Sequence, residues 1–163
     1  MWTEQVTQAV GFADVVNYQS VNNTSVNSLG IDMSKFKRAL FLTLLPQAGP
    51  TGQGALNVAL QISNTSNFAT NTTLTTSNFT TAANLSVNNT FSTLEIRADQ
   101  MAYLQSQARY VRLYLTASGQ ALNCAGFGFG FEAIQKPGGV GSLSGNLNTT
   151  YLAASAVVNS PSP

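Results

Sequence analysis

The sequence predicts an all-β fold, a jelly-roll-like β-sandwich with one short helix and extended N- and C-terminal arms. Apolar and polar residues alternate with period two over several short stretches, as strands half-buried in a sheet require. Clusters of Gly, Pro, Asn and Ser break those stretches at short intervals. Polarity is carried by Asn, Thr and Ser, which are weak helix formers, with Thr favouring strands. A chain of 163 residues, 44% hydrophobic, is long enough for one domain with a core that needs no disulfide staples.

Residues 1–30 read as an N-terminal strand or arm. Val16 to Val21 fits one strand, and Asn22 to Ser25 has turn chemistry. The sandwich body spans 31–136. Asp32 or Ser34 is placed to cap a single helical turn. Ala39 to Leu45 is a short apolar run, broken only by Thr43 and ended by Pro46, the pattern of a strand covered on both faces. Ala55 to Ser63 alternates, with Leu56, Val58, Leu60 and Ile62 on the face expected inside. From Asn64 to Asn89 isolated apolar anchors (Phe68, Leu74, Phe79, Leu85) fit short strands and turns. Phe91 to Arg97 is a further strand. Asp99 then caps a helix over Gln100 to Gln105. Arg109 to Ala117 alternates, with Val111, Leu113 and Leu115 on one face and Tyr110, Arg112 and Tyr114 on the other. Gly126 to Phe131 alternates Gly with Phe. Here the Phe face reads as core, and the Gly face leaves room for a close approach. Residues 137–163 read as a flexible Gly/Ser/Pro-containing tail, either disordered or laid along a partner and ordered there.

Charge is distributed unevenly. No Asp, Glu, Lys or Arg occurs between Ala39 and Leu94, or between Pro137 and Pro163. The chain has no His, one Cys and a net charge of +1. These counts argue against an enzyme, because acid–base catalysis draws mostly on His or on tuned carboxylates. A Ser–His–Asp triad and a Cys/His zinc site both require His that is absent. Glu95 and Asp99 are the close carboxylate pair after residue 32, and they read as a strand end and a helix cap rather than a catalytic pair. Neither Gly-rich stretch has the spacing of a nucleotide loop, so no cofactor and no metal are expected. The charge balance gives no case for nucleic acid or membrane. No run of 18 apolar residues suggests a membrane helix. The first residues lack a secretory pattern, and a lone Cys suits a reducing cytoplasm as the place of synthesis.

Three segments resemble the decoration, or cement, proteins of tailed-bacteriophage heads: Ile31 to Leu42, Leu94 to Met101, and Ala108 to Thr116. The likeness spans about residues 31 to 134 and leaves the first thirty residues and the tail outside. It implies a β-sandwich or jelly roll on the outer surface of the virion, bound to the major capsid protein, often as a trimer. It implies no activity. The Arg109 to Leu113 pattern is also similar to a late strand of discoidin-like carbohydrate-binding sandwiches, so a glycan-binding module is the alternative. A neck or tail component of the virion is another. Candidate interface residues are Lys35, Lys37, Arg38, Arg112, Tyr114, Trp2 and Tyr151. Arg109 and Arg112 are expected to pair with Glu95 or Asp99, or to sit at an interface.

Overall fold

A computed structural model of the chain describes residues 10–47, 54–74, 83–85 and 89–134. They form two antiparallel sheets packed face to face. Sheet A has four strands in the order β1 (Val10–Val21), β10 (Leu122–Ala133), β4 (Phe36–Gln47) and β8 (Thr90–Arg97). Sheet B runs β2 (Ser25–Asn27), β9 (Tyr110–Ser118), β5 (Ala55–Ser63) and β6 (Asn71–Leu74). Two short strands join it: β3 (Ile31–Asp32) pairs with β9, and β7 (Ala83–Leu85) pairs with β5. The pairings nest. The first strand pairs with the last, β2 and β3 with β9, β4 with β8, and β5 with β6 and β7.

The all-β sandwich expected from the sequence is therefore what the chain forms. The alternating run Ala55 to Ser63 is β5 over the same residues, with Leu56, Val58, Leu60 and Ile62 all buried. These side chains face Phe41, Leu94 and Ile96 from sheet A, and Val111, Leu113 and Leu115 lie beside them, in one continuous core. Each large apolar side chain so buried contributes about 1.5–3 kcal/mol. Residues 10–30 are strand and turn within the two sheets. The candidates Trp2 and Tyr151 and the tail 137–163 lie outside the described residues.

Four expectations are corrected. The Gly/Phe alternation is inverted. Gly126, Gly128 and Gly130 point inward and are buried, while Phe127, Phe129 and Phe131 are partly exposed on the outer face. The reason is steric. A Cβ on Gly126 would lie 2.5 Å from Leu113 of the opposite sheet, one on Gly128 would lie 3.0 Å from the Phe41 ring, and one on Gly130 would lie 2.4 Å from the Phe36 ring. The close approach read for the glycine face is thus made by side chains of the core itself. Second, β4 is covered on one face only. Ala39, Phe41, Thr43 and Leu45 are buried, whereas Leu40, Leu42 and Leu44 are partly exposed. Third, the one helix among the described residues, α1 (Ala98–Leu104), starts earlier than expected, with Arg97 rather than Asp99 at its N-cap. The Arg97 backbone N–H donates to Gln100 Oε1 at 3.0 Å, so Gln100 closes the first turn. Asp99 sits inside that turn and accepts the Gln100 backbone N–H. Asp32 caps no helix either. Its Oδ1 accepts both the backbone N–H and the hydroxyl of Ser34, fixing the tight turn between β3 and β4.

Candidate functional site

Strand register sorts the charged residues to one end of the sandwich. The β3–β4 turn links the two sheets there: Met33 N–H donates to Arg109 O, and Ile134 N–H donates to Lys35 O. Around this turn gather the start of β4, the end of β8, α1, the start of β9 and the end of β10. Among the described residues only Asp14 and Arg112 carry charge away from this end. The opposite end is built from Asn22 to Thr24, Ser118 to Gln120 and the neighbouring strand ends, and is uncharged among the described residues. Asn23, in the left-handed region at φ 44°, accepts the Gly119 N–H with its Oδ1 at 3.1 Å and ties two turns together there.

The charged end holds matched pairs. Arg109 grips Asp32 with two hydrogen bonds, Nε–Oδ1 at 2.9 Å and Nη2–Oδ2 at 2.7 Å. This pairing, with help from Ser34, pulls the Asp32 carboxyl down to about 2 and holds the guanidinium above its usual range. Arg97 pairs with Asp99 at 2.9 Å. Arg38 lies between Glu95 at 3.1 Å and Glu132 at 3.5 Å. Its buried Nε makes no aligned hydrogen bond despite the short Glu95 distance, so the contact is an ion pair only. The expected partners are thereby corrected: Arg109 takes Asp32, while Glu95 and Asp99 belong to Arg38 and Arg97. Lys37 and Arg38 line an open cleft of about 470 Å³ with Arg97, Ala98, Asp99 and Glu132. Lys35 stands exposed on the adjoining turn.

Arg112 and Tyr114 lie elsewhere, on the outer face of sheet B. Arg112 stacks over the Phe68 ring, 4.3 Å from its centroid, and donates from Nε to Gln61 Oε1 at 2.8 Å. Gln61 in turn donates to Thr73 Oγ1 at 3.0 Å. Burial lowers the guanidinium pKa, and the ring and amide contacts compensate the desolvated cation. Phe68 reaches this position because Gly30, at φ 105°, carries no Cβ where the ring sits. Arg112 is thus an internal strut of the β5–β6 turn. The seven candidate residues do not form one site.

Sequence reasoning missed two features. One is Asp14, a carboxylate only 1% exposed in the middle of β1. Its Oδ1 accepts the N–H groups of Val15 and Leu29, and its Oδ2 that of Gly30, at 2.9–3.1 Å. The bond set joins sheet A to the segment between β2 and β3, where Ser28 also donates to Asp14 and exchanges backbone and side-chain bonds with Leu113. Burial pushes the Asp14 carboxyl up to about 6, against the opposing pull of these hydrogen bonds. A single Asp in a strand-like stretch carries no local signal of this role.

The other feature is the outer face of sheet A. Register places Phe127 beside Val15 and Leu42, Phe129 beside Leu40, Phe131 beside Val10 and Arg38, and Leu44 beside Phe91. All are partly exposed, and Phe91 is 66% exposed. The outer face of sheet B is mixed, with Asn57, Thr116 and Asn27 beside Ala59, Tyr110 and Tyr114, and with Gln61 and Ser63 buried. The apolar strip of sheet A continues along β8 through Thr93 and Glu95 towards the charged cleft. Among the described residues no group of three His, Cys, Asp or Glu side chains could hold a metal ion, and no helix is long and apolar enough to cross a membrane. No family model matches the chain, and no curated protein matches it.

Proposed function

We propose that this chain is a structural assembly protein, a decoration or cement protein that binds the outer surface of a tailed-phage capsid as a homotrimer on the major capsid protein. The observation that carries an assembly role is the row of outward apolar side chains on sheet A, Leu40, Leu42, Leu44 and Phe91. The phage reading comes from the three resembling segments, and their arrangement supports treating them as one unit. Ile31 to Leu42 supplies β3, its turn and the first half of β4. Leu94 to Met101 supplies the end of β8 and the start of α1, and Ala108 to Thr116 supplies most of β9. Far apart in sequence, they are clasped by Arg38–Glu95 and Asp32–Arg109. The nested pairing of strands, counted as eight by merging β2 with β3 and β6 with β7, is the reason to read the sandwich as a jelly roll. Uncharged polar surfaces would hold a partner through amide and hydroxyl hydrogen bonds that salt screens little.

The test is to add the purified protein to capsids lacking it. Stoichiometric binding and a gain in thermal or osmotic resistance are expected. No binding and no gain would reject the reading. A glycan-binding module is favoured by one observation, the 90% exposure of Tyr103 on α1. Tyr110, the other tyrosine near that end, instead lies under the Arg109 guanidinium at 5.2 Å. Hits on a glycan array that vanish in Tyr103→Ala would install that alternative.

A further inference from the structure

We infer that the outer face of sheet B binds a carboxylate-bearing sugar, with Arg112 taking the carboxylate and the Tyr114 ring taking the sugar. The inference goes beyond the assembly reading and does not rest on it. Its starting point is a mismatch of charge. Among the described residues the other three arginines each hold a carboxylate: Arg38 has Glu95 and Glu132, Arg97 has Asp99, and Arg109 has Asp32. Lys35 and Lys37 are exposed, and water serves them. Arg112 is partly buried, and no carboxylate pairs with it among those residues. Asp14 acts on it only from a distance, because the Asp14 oxygens are taken by Val15, Leu29 and Gly30. A cation drawn out of water is normally paired, so the carboxylate of a ligand completes this site.

The guanidinium is held in place before a ligand arrives. One of its faces lies on the Phe68 ring, and Nε donates to Gln61, which is itself buried and fixed by Thr73. The two Nη groups make no hydrogen bond among the described residues, and they keep the fork geometry that a carboxylate accepts. Little side-chain freedom remains to be lost on binding. The surroundings select the class of ligand. β9 lies inside sheet B, with its backbone engaged by β5, β2 and β3, so an extended peptide cannot add to it as a strand. One unmatched cation does not suit a polyanion, which needs several such contacts. What the face offers is a place for a ring bearing hydroxyl groups. Tyr114 stands two residues along β9 from Arg112, about 6.8 Å away on the same face. Beside it Ala59, set between the longer Asn57 and Gln61 on β5, leaves a low floor. Asn27 flanks Tyr114 on its other side, and Asn57 and Thr116 form the next rung. An aromatic wall with amides and a hydroxyl around it fits the apolar face and polar edge of a sugar.

Isothermal titration calorimetry on the full chain tests this with two matched pairs of probes: galacturonate oligosaccharides against their methyl esters, and sialyllactose against lactose. The free acids should bind about tenfold or more tightly than their neutral counterparts, the margin expected of a charge-assisted, two-pronged contact. Arg112→Lys keeps the charge but not the fork, and should lose most of that preference. Tyr114→Ala should weaken the binding of the free acids. Tyr103→Ala, on α1, is the control and should bind as the wild type does. Circular dichroism and a thermal melt establish that each variant is folded. Tyr114 is partly exposed on the outer face, so its variant reads the site even if Arg112→Lys, which uncovers Phe68, does not fold. A wild type that binds neither free acid, equal affinity for acid and neutral sugar, or binding unchanged in folded Tyr114→Ala overturns the inference. A glutamate-rich peptide that binds at Arg112 where both sugar acids fail also overturns it, by assigning the site to a protein partner.

Discussion

Replacing Asp14 with Asn should change the stability of this protein in a way that depends strongly on pH. The carboxylate is buried and accepts three backbone N–H groups. Its pKa rises from the usual 3.8 to about 6, burial being the main cause. The folded chain therefore holds the Asp14 proton more tightly than the unfolded chain does. This contribution is whole below pH about 4 and is lost as pH rises through about 6. A rise of about two units corresponds to about 3 kcal/mol. Asn is always neutral and takes no part in that titration. It keeps an oxygen for Val15 and Leu29, but turns an amide N–H towards the Gly30 N–H and leaves that donor unpaired, at a cost of about 1–3 kcal/mol. Asp14→Asn should thus be clearly destabilising at pH 4 and nearly neutral at pH 7, with the difference from wild type shrinking by about 3 kcal/mol between them. Asp32 adds nothing to this window, because its lowered pKa keeps its contribution whole above pH about 4 and loses it only as pH falls through about 2. Urea unfolding of both proteins across that range measures the difference. One that is flat with pH, or that grows as pH rises, would refute the reasoning.

Thr43 is fully buried in β4, and its hydroxyl has no hydrogen-bond partner. Thr43→Val should therefore stabilise the fold by about 1 kcal/mol in the same urea assay. Gly130→Ala should cost about 1–3 kcal/mol, because the new methyl displaces the buried Phe36 ring. A gain in stability there would mean that the ring yields freely. Cys124 is buried, and burial pushes its thiol up to about 11. Native protein should be inert to a thiol reagent at pH 8, and should react with one equivalent once unfolded in urea.

Much of the fold was legible because it follows from local alternation. In β5 and β9 each second residue is Leu, Val or Ile, and the facing rows need no other information to define the core. The Gly/Phe strand was misread because alternation defines two faces without saying which is inside. That was decided by Phe36, Phe41 and Leu113, which come from two other strands and fill the space that Phe127 and Phe129 would have needed. The ion pairs were misassigned for a related reason. Asp32 and Arg109 are 77 residues apart and meet only once the β3–β4 turn has closed against β9. Glu95 and Asp99 are close to Arg109 in sequence, but register gives them to Arg38 and Arg97. Asp14 was least legible of all. Its role needs the bulge in β1 after Phe12 and a segment 15 residues further on.

The uneven distribution of charge then acquires a structural meaning. The charged windows Asp32 to Arg38 and Glu95 to Arg112 look unrelated along the chain, yet register stacks most of their residues at one end of the sandwich. Burying a charged surface costs several kcal/mol per unmatched ion, whereas burying an apolar one contributes about 25 cal/mol per Å². Confining charge to one end, and pairing it there, leaves the outer face of sheet A and the opposite end free to be covered without that penalty. Sheet B shows the contrast. Its outer face carries Asn57 and Thr116 among tyrosines, and its one cation, Arg112, is packed on the Phe68 ring. The two faces differ because the outward rows of β4 and β10 are apolar where those of β5 and β9 are mixed. Of the two faces, sheet A is the one from which partner binding should be disrupted by a single lysine.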